Sequence, residues 1–251
     1  MEAISSTKSA LLVSEKVQQT NSLFQYTPEQ VAPSTSSSII DLIELVNRLQ
    51  SQNHPATPDE QAALSGWMGW GPLAPAFASF PDGKWAQIRA RLAMLLGPEG
   101  MEAAAAATPT SFFTASYIAE TIWKVATGLG FSGGRVLEPG CGNGAILAAA
   151  PQGLPLDMTG IEREPFTASV AQLRFPGAKI ITAPFEKVSL VNSSFDLVVG
   201  NVPFSRVHVY DRDTDIRFSL HNYFIWRSLL ALRPGGLALL VTSRYTPILF
   251  K

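Results

Sequence analysis

The chain has 251 residues, a net charge of −1, one cysteine and three histidines, with 46% hydrophobic and 16% charged residues. That balance supports a real core and excludes a chain disordered throughout, a disulfide framework and a cysteine-rich zinc centre. A pI near 6.3 is a poor electrostatic footprint for a stand-alone nucleic-acid binder, and no apolar run nears the roughly 18 residues of a membrane span.

Residues 1–37 are rich in Ser, Thr and Gln. They read as a disordered tail with a short helix around residues 10–16. No basic-then-apolar signal pattern opens them, which makes the cytoplasm the expected compartment. Ile39, Leu42, Ile43, Val46 and Leu49 then recur at helical spacing behind Ser38 as N-cap. Thr57-Pro58-Asp59-Glu60 is a second helix start, with Thr as cap, Pro in the first turn and acids that suit the helix dipole; that helix runs to about Leu64. Trp67, Gly69, Trp70, Gly71 and Pro72 interrupt with a turn. A helix over 83–96 follows, and Pro98 opens another through 103–107. Residues 38–107 are thus expected to form a small helical module, and 108–251 a second domain.

From Ser111 the pattern changes. A helix over 116–126 turns Ile118, Ile122 and Val125 inward. Strands at 135–138, 157–162, 179–183, 196–199 and 237–243 then alternate with helices ending near Ala150, Phe175 and Leu232. Alternation at this spacing predicts a doubly wound parallel α/β sheet with crossover helices. Residues 205–219 read as a polar, mobile, substrate-side loop. Its Asp211, Asp213 and Asp215 lack the glycine and terminal glutamate of a calcium loop, so no metal is expected.

Two motifs carry the chemistry. Val136-Leu137-Glu138-Pro139-Gly140-Cys141-Gly142-Asn143-Gly144 reads as a buried strand, a glycine turn and a helix start. Such a turn lets backbone approach a ligand and aims a helix N-terminus at it. The glycines stand two apart, unlike the Gly-x-Gly-x-x-Gly of dinucleotide folds. Glu162 ends the next strand about 20 residues on, where a carboxylate grips ribose hydroxyls in doubly wound folds; Arg163 and Glu164 read as surface residues. Phe195-Asp196-Leu197-Val198-Val199-Gly200-Asn201-Val202-Pro203-Phe204 reads as a buried strand ending in a tight turn. An aromatic amine is a weak nucleophile because its lone pair is delocalised. Two acceptors on its hydrogens, the Asn201 side chain and the Val202 carbonyl, would drive it toward tetrahedral geometry. Phe204 would stack on an extruded base.

Glu138-Pro139-Gly140-Cys141-Gly142-Asn143-Gly144 resembles motif I of class I methyltransferases, and Asn201-Val202-Pro203-Phe204 resembles the Asp/Asn-Pro-Pro-Tyr/Phe motif of those that modify exocyclic amines and amides. The resemblance implies S-adenosylmethionine as cofactor. Glu138, Gly140, Cys141, Gly142 and Gly144 would form the turn around it, Glu162 would hold its ribose and Phe185 would flank its adenine. Thr114, beside Phe113, stands where these families place a contact to the methionine end. Asn201, Val202, Pro203 and Phe204 would be catalytic. Pro184 stands where many relatives carry an aspartate on the adenine amino group, so that contact is missing. Pro55–Gln61, Gly69-Trp70-Gly71, Trp85, His221-Asn222-Tyr223-Phe224 and Leu232-Arg233-Pro234-Gly235-Gly236 with Thr242-Ser243-Arg244-Tyr245 extend the likeness to the lead-in and methyltransferase part of large helicase–methyltransferase proteins of phages and mobile elements. That likeness implies adenine-N6 methylation of DNA tied to restriction–modification or anti-restriction, with the motifs in the gamma order. A helicase or recognition subunit is the implied partner, and no membrane is involved. The fold implied is a class I, Rossmann-like sheet lacking its last two strands, preceded by the helical module. Two alternatives stay open: methylation of a protein glutamine amide, and an inactive cofactor-binding or interaction fragment.

Overall fold

A computed structural model describes residues 36–108, 113–203, 207–211 and 215–242. Residues 1–35 of the expected tail, Phe204, Asp213 and Ser243-Arg244-Tyr245 lie outside the described residues, while residues 36 and 37 of that tail are helical.

The first part is helical. Helix α1 (Ser36–Gln52) buries Ile39, Ile43, Val46 and Leu49 along one face, as the spacing predicts. It begins two residues before Ser38, which is therefore inside the helix and not its cap. Helix α2 (Pro58–Leu64) has the expected start: Thr57 accepts from the Glu60 N–H, and the Glu60 side chain accepts from the Thr57 N–H in a reciprocal box. A 3-10 turn over Gly71–Phe77 leads to α3 (Gly83–Ala107). Gly97, at φ 65° and ψ 179°, breaks α3 just before Pro98, so two helical segments meet there as the sequence predicts. Trp67, Trp70, Leu64, Leu73 and Leu92 fill the core between these elements.

The second part is a three-layer sandwich. Its sheet comprises β1 (Gly134–Pro139), β2 (Leu156–Glu162), β3 (Lys179–Thr182), β4 (Phe195–Asn201) and a late strand β7 (Leu232–Val241). Its order is β3-β2-β1-β4-β7, with every pairing parallel. Alternating side chains feed two cores. Val136, Leu197 and Val199 face helix α4 (Ser116–Gly128), where Ala119, Ile122, Trp123 and Ala126 are buried. The Trp123 indole N–H donates to the Ile146 carbonyl at 2.8 Å, fixing α4 against the short helix α5 (Ala145–Ala148). Leu137 and Val198 face the other way, toward α7 (Leu220–Ala231) with Tyr223 and Phe224.

Helix α6 (Pro165–Arg174) joins the two parts, because its Val170, Phe166 and Leu173 belong to the core of the helical segment. At its start the sequence reading needs correction. Glu164 is a buried N-cap and not a surface residue: its carboxylate accepts from the Phe166 N–H at 3.0 Å, the Thr167 N–H at 2.7 Å and the Thr167 hydroxyl at 2.6 Å. Three donors at a helix N-terminus repay its desolvation.

A second correction concerns the stretch after β4. Described residues there form an antiparallel hairpin of β5 (His208–Asp211) and β6 (Ile216–Ser219), not an irregular loop. Val209 is buried opposite Phe218, and Phe218 stacks on Trp226 at 4.9 Å between ring centroids. One apolar face anchored on α7 holds the hairpin.

Glu164→Ala is expected to cost about 2–4 kcal/mol in urea unfolding, the loss of a cap plus a stranded buried donor. A change under about 0.5 kcal/mol would show that water replaces the carboxylate.

Candidate functional site

The chain runs outward from β1 to β3 and then returns to place β4 beside β1. Ligands of open α/β sheets bind at such a reversal, beyond the C-terminal strand ends. Here the glycine turn after β1 and Asn201 at the end of β4 meet at one cavity of about 520 Å³. Gly140, Gly142, Glu162, Phe185, Asn201, Val202 and Pro203 all line it. Two motifs roughly sixty positions apart in sequence thus share one space, because their strands are neighbours.

The turn itself is possible only with glycine. Gly140, Gly142 and Gly144 have φ of 71°, 56° and 78°. A Cβ on Gly144 would lie 2.4 Å from the Phe175 ring, and one on Gly142 would meet the Phe113 ring at 3.4 Å. The Gly142 N–H donates to Glu162 Oε2 at 3.0 Å, and the Glu164 N–H donates to the other oxygen at 2.8 Å. Each Glu162 oxygen keeps a second lone pair for a ligand hydroxyl.

Two carboxyls, one buried and one half-buried, are shifted upward here. Burial pushes Glu138 well above the usual carboxylate range, the nearby Glu162 charge adds to this, and a backbone N–H at Leu147 only partly offsets it. Glu162 is raised too, chiefly by burial, against the N–H donors of Glu164 and Gly142. Among the described residues, Glu138 Oε2 has no hydrogen-bond partner. A buried, unpaired acceptor of this kind is costly unless a cation or donor arrives. Asn201 carries a second such atom: its Oδ1 is buried, without a partner among the described residues.

Other predicted residues are placed differently. Cys141 is buried, with its sulfur packed toward Gly160 rather than along the cavity, and burial with the two glutamates raises its thiol, leaving it neutral. Gly144 and Glu138 stand behind the cavity wall, and Thr114 does not line it, whereas its neighbour Phe113 does. Phe185 packs against Phe224, with ring centroids 4.8 Å apart, so cavity and core share one aromatic wall. The Val202 N–H donates to the Val241 carbonyl at 3.1 Å, which ties the Asn201-Val202-Pro203 turn to the end of β7.

Sequence reasoning missed the hairpin contribution. Val207, His208, Val209 and Tyr210 line the cavity mouth. The period-two alternation of 207–210 and 216–219 was the available signal.

Residues 137–214 match the family model described as a methyltransferase domain. Defense against restriction protein B of Escherichia phage P1 is 33% identical over 132 residues, which is 51% of this chain and 6% of that protein. Phthiotriol/phenolphthiotriol dimycocerosates methyltransferase of Mycobacterium leprae is 30% identical over 116 residues, 45% of this chain and 39% of that one. The chain therefore spans well under half the length of either relative. Among solved structures, an S-adenosylmethionine-dependent methyltransferase from Geobacter sulfurreducens in complex with S-adenosylhomocysteine aligns with 19% identity and a TM-score of 0.36, over 48% of this chain and 47% of that one. The strand order and the family match define a class I methyltransferase fold. S-adenosylmethionine is the cofactor of that fold, and the residues present fit it. The glycine cradle holds a positive-φ backbone that side chains resist, and Glu138 offers an acceptor unpaired among the described residues. Glu162 stands at the rim with lone pairs to spare, and Phe185 supplies an apolar wall. Among the described residues no helix is long and apolar enough to cross a membrane.

Because the Glu138 carboxyl is raised, the folded chain keeps a proton that the unfolded chain releases above the ordinary glutamate value of 4.5. Its burden on folding therefore grows as pH rises past that value. Glu138→Gln is expected to raise the thermal midpoint of the cofactor-free protein at pH 7, with the gain shrinking toward pH 4. A gain independent of pH, or none at pH 7, would mean that this carboxyl is not held protonated by burial.

Proposed function

We propose that this chain methylates the exocyclic N6 amine of adenine in DNA. The observation that carries the reading is the buried, unpartnered Asn201 Oδ1 on the same cavity as the glycine turn. A carboxamide oxygen with nothing to accept from is suited to a ligand N–H, and an exocyclic amine that is to be methylated donates such a bond.

Bound at the glycine turn, S-adenosylmethionine supplies an electrophilic methyl group on its sulfonium sulfur. The residues around it have separable tasks. Glu138 and Glu162 offer negative charge and acceptors toward the amino-acid end and the ribose. Phe185, with Ile161 and Pro184 on the same lining, gives the adenine an apolar seat. Asn201 accepts one hydrogen of the target amine, and the Val202 carbonyl accepts the other. Those two bonds disfavour the planar, conjugated amine and so localise its lone pair. Pro203 stiffens the turn that holds both acceptors. Phe204 follows directly and, from the sequence, supplies a face for the extruded base.

Support for DNA comes from two sides. The matched phage protein is named for defence against restriction, a DNA-directed context. The cavity also opens beside the hairpin, where exposed Tyr210 and Arg217 are cross-strand partners. An aromatic and a guanidinium side by side suit a base and a phosphate. A net charge of −1 implies that much of the DNA grip comes from a helicase or recognition partner.

The test is transfer of tritiated methyl from S-adenosylmethionine to mixed-sequence DNA, with modified adenines read by sequencing, against transfer to a protein glutamine substrate. Label in the protein arm alone would replace DNA by a glutamine amide; label in neither arm, with cofactor bound, would favour a binding fragment. Asn201→Ala is expected to lower turnover by at least about 100-fold, the worth of a lost transition-state acceptor, while cofactor affinity moves less than about 3-fold. Loss of cofactor binding with turnover retained would remove Asn201 from catalysis. Glu162→Ala should weaken the cofactor by about 1.5–3 kcal/mol in calorimetry; unchanged affinity would take it out of the ribose role.

A further inference from the structure

Resting on the reading of the cavity as a methyl-donor site, we infer that Trp67 in the helical segment is a positioning residue for that site. It braces the glycine turn from behind and makes donor affinity depend on the docking of α1–α3. Trp67 is fully buried, with its ring centroid 4.8 Å from Trp70 and 4.7 Å from Phe166. The indole is therefore locked in place.

One residue reaches two parts of the cavity wall. The indole N–H donates to Thr167 Oγ1 at 3.0 Å, and that hydroxyl donates to Glu164. Thr167 and Glu164 both line the cavity. The Trp67 carbonyl accepts from Asn143 Nδ2 at 2.8 Å, and Asn143 stands between Gly142 and Gly144. Arg174 of α6 donates to the Asn143 carbonyl from the same side. The turn's own backbone bonds are few: Cys141 N–H to the Ile161 carbonyl and Gly144 N–H to the Cys141 carbonyl, both at 2.9 Å. A turn of glycines has the most backbone entropy to lose on ordering. The Asn143–Trp67 tether removes part of that freedom before the donor arrives, so less ordering is charged to binding. Linkage then works both ways: docking of the helical segment tightens the donor, and the donor tightens the docking.

The test uses the full chain and S-adenosylmethionine itself. Trp67→Phe keeps an aromatic ring and the carbonyl and removes the N–H donor together with half of the indole, a loss of packing that the core control below must match. Asn143→Ala removes the tether to the turn. Leu73→Ala is the control, since Leu73 is buried in the same core and its apolar side chain has no hydrogen bond to give either loop. Donor affinity is measured by calorimetry, and donor KM, acceptor KM and kcat are measured separately. Each polar variant is expected to weaken the donor roughly 5- to 20-fold, the worth of one buried hydrogen bond, with kcat and acceptor KM within about 2-fold. The double variant should fall short of the product of the two, because both bonds run through one residue. Leu73→Ala should lower the thermal midpoint while leaving donor affinity unchanged well below it. Wild-type donor affinity in both polar variants, or an equal loss in Leu73→Ala, would overturn the positioning role. If the wild-type chain binds no donor, the donor reading falls and the positioning role with it; if it binds and the variants match it, only the positioning role falls.

Discussion

A backbone that must pass where no side chain fits sets the terms for this molecule. Gly140, Gly142 and Gly144 all adopt positive φ within five residues, and at Gly144 a single added carbon would overlap the Phe175 ring. Only glycine takes this path without strain. The path matters because it exposes the Gly142 N–H to Glu162 and starts α5 at the cavity. Glycine, however, is also the least ordered residue when left alone. The rest of the structure can be read as supplying that order: β1 and β2 from below, Arg174 from α6 and Trp67 from the helical segment, both through Asn143, and Phe113 across the front.

The second theme is electrostatic. Glu138 is buried and Glu162 half-buried beside it, both are displaced upward, and Glu138 lacks a partner for one oxygen among the described residues. A fold optimised only for stability would not keep them. Groups held at a cost where a ligand binds are a recurring sign of a site prepared for opposite charge. Asn201 repeats the pattern with a neutral carboxamide. Glu162 and Asn201 divide the cavity lining into a region suited to hydroxyls and a region suited to an N–H donor, with Glu138 adding its carboxyl from behind the wall.

The hairpin of β5 and β6 has a different character. Its inner face is anchored by Val209 and by Phe218 on Trp226, while Val207 and Tyr210 stay more than half exposed at the cavity mouth. A deep floor of packed strands and a rim of short, lightly buried strands is the distribution expected when the acceptor is larger than the pocket.

Much of this was legible in the chain, wherever the cause is local. The Thr57 capping box, the break at Gly97-Pro98, the alternation of strands and helices, and the positive-φ turn after β1 follow from residues within about four positions of each other. Motif spacing likewise predicted that Glu162 ends its strand, whereas Asn201, read into the turn after a strand over 196–199, is the last residue of β4. What the sequence alone did not reveal depends on partners far along the chain. Glu164 reads as a surface acid until α6 places three donors around it. Trp67 reads as a turn residue until Asn143, 76 positions away, and Thr167, 100 away, bond to it. Phe113 rather than Thr114 faces the cavity because the packing of the Phe113 ring against Gly142 decides the orientation. Local propensity fixes which elements form; burial and hydrogen bonding between distant elements decide which of their side chains reach the site.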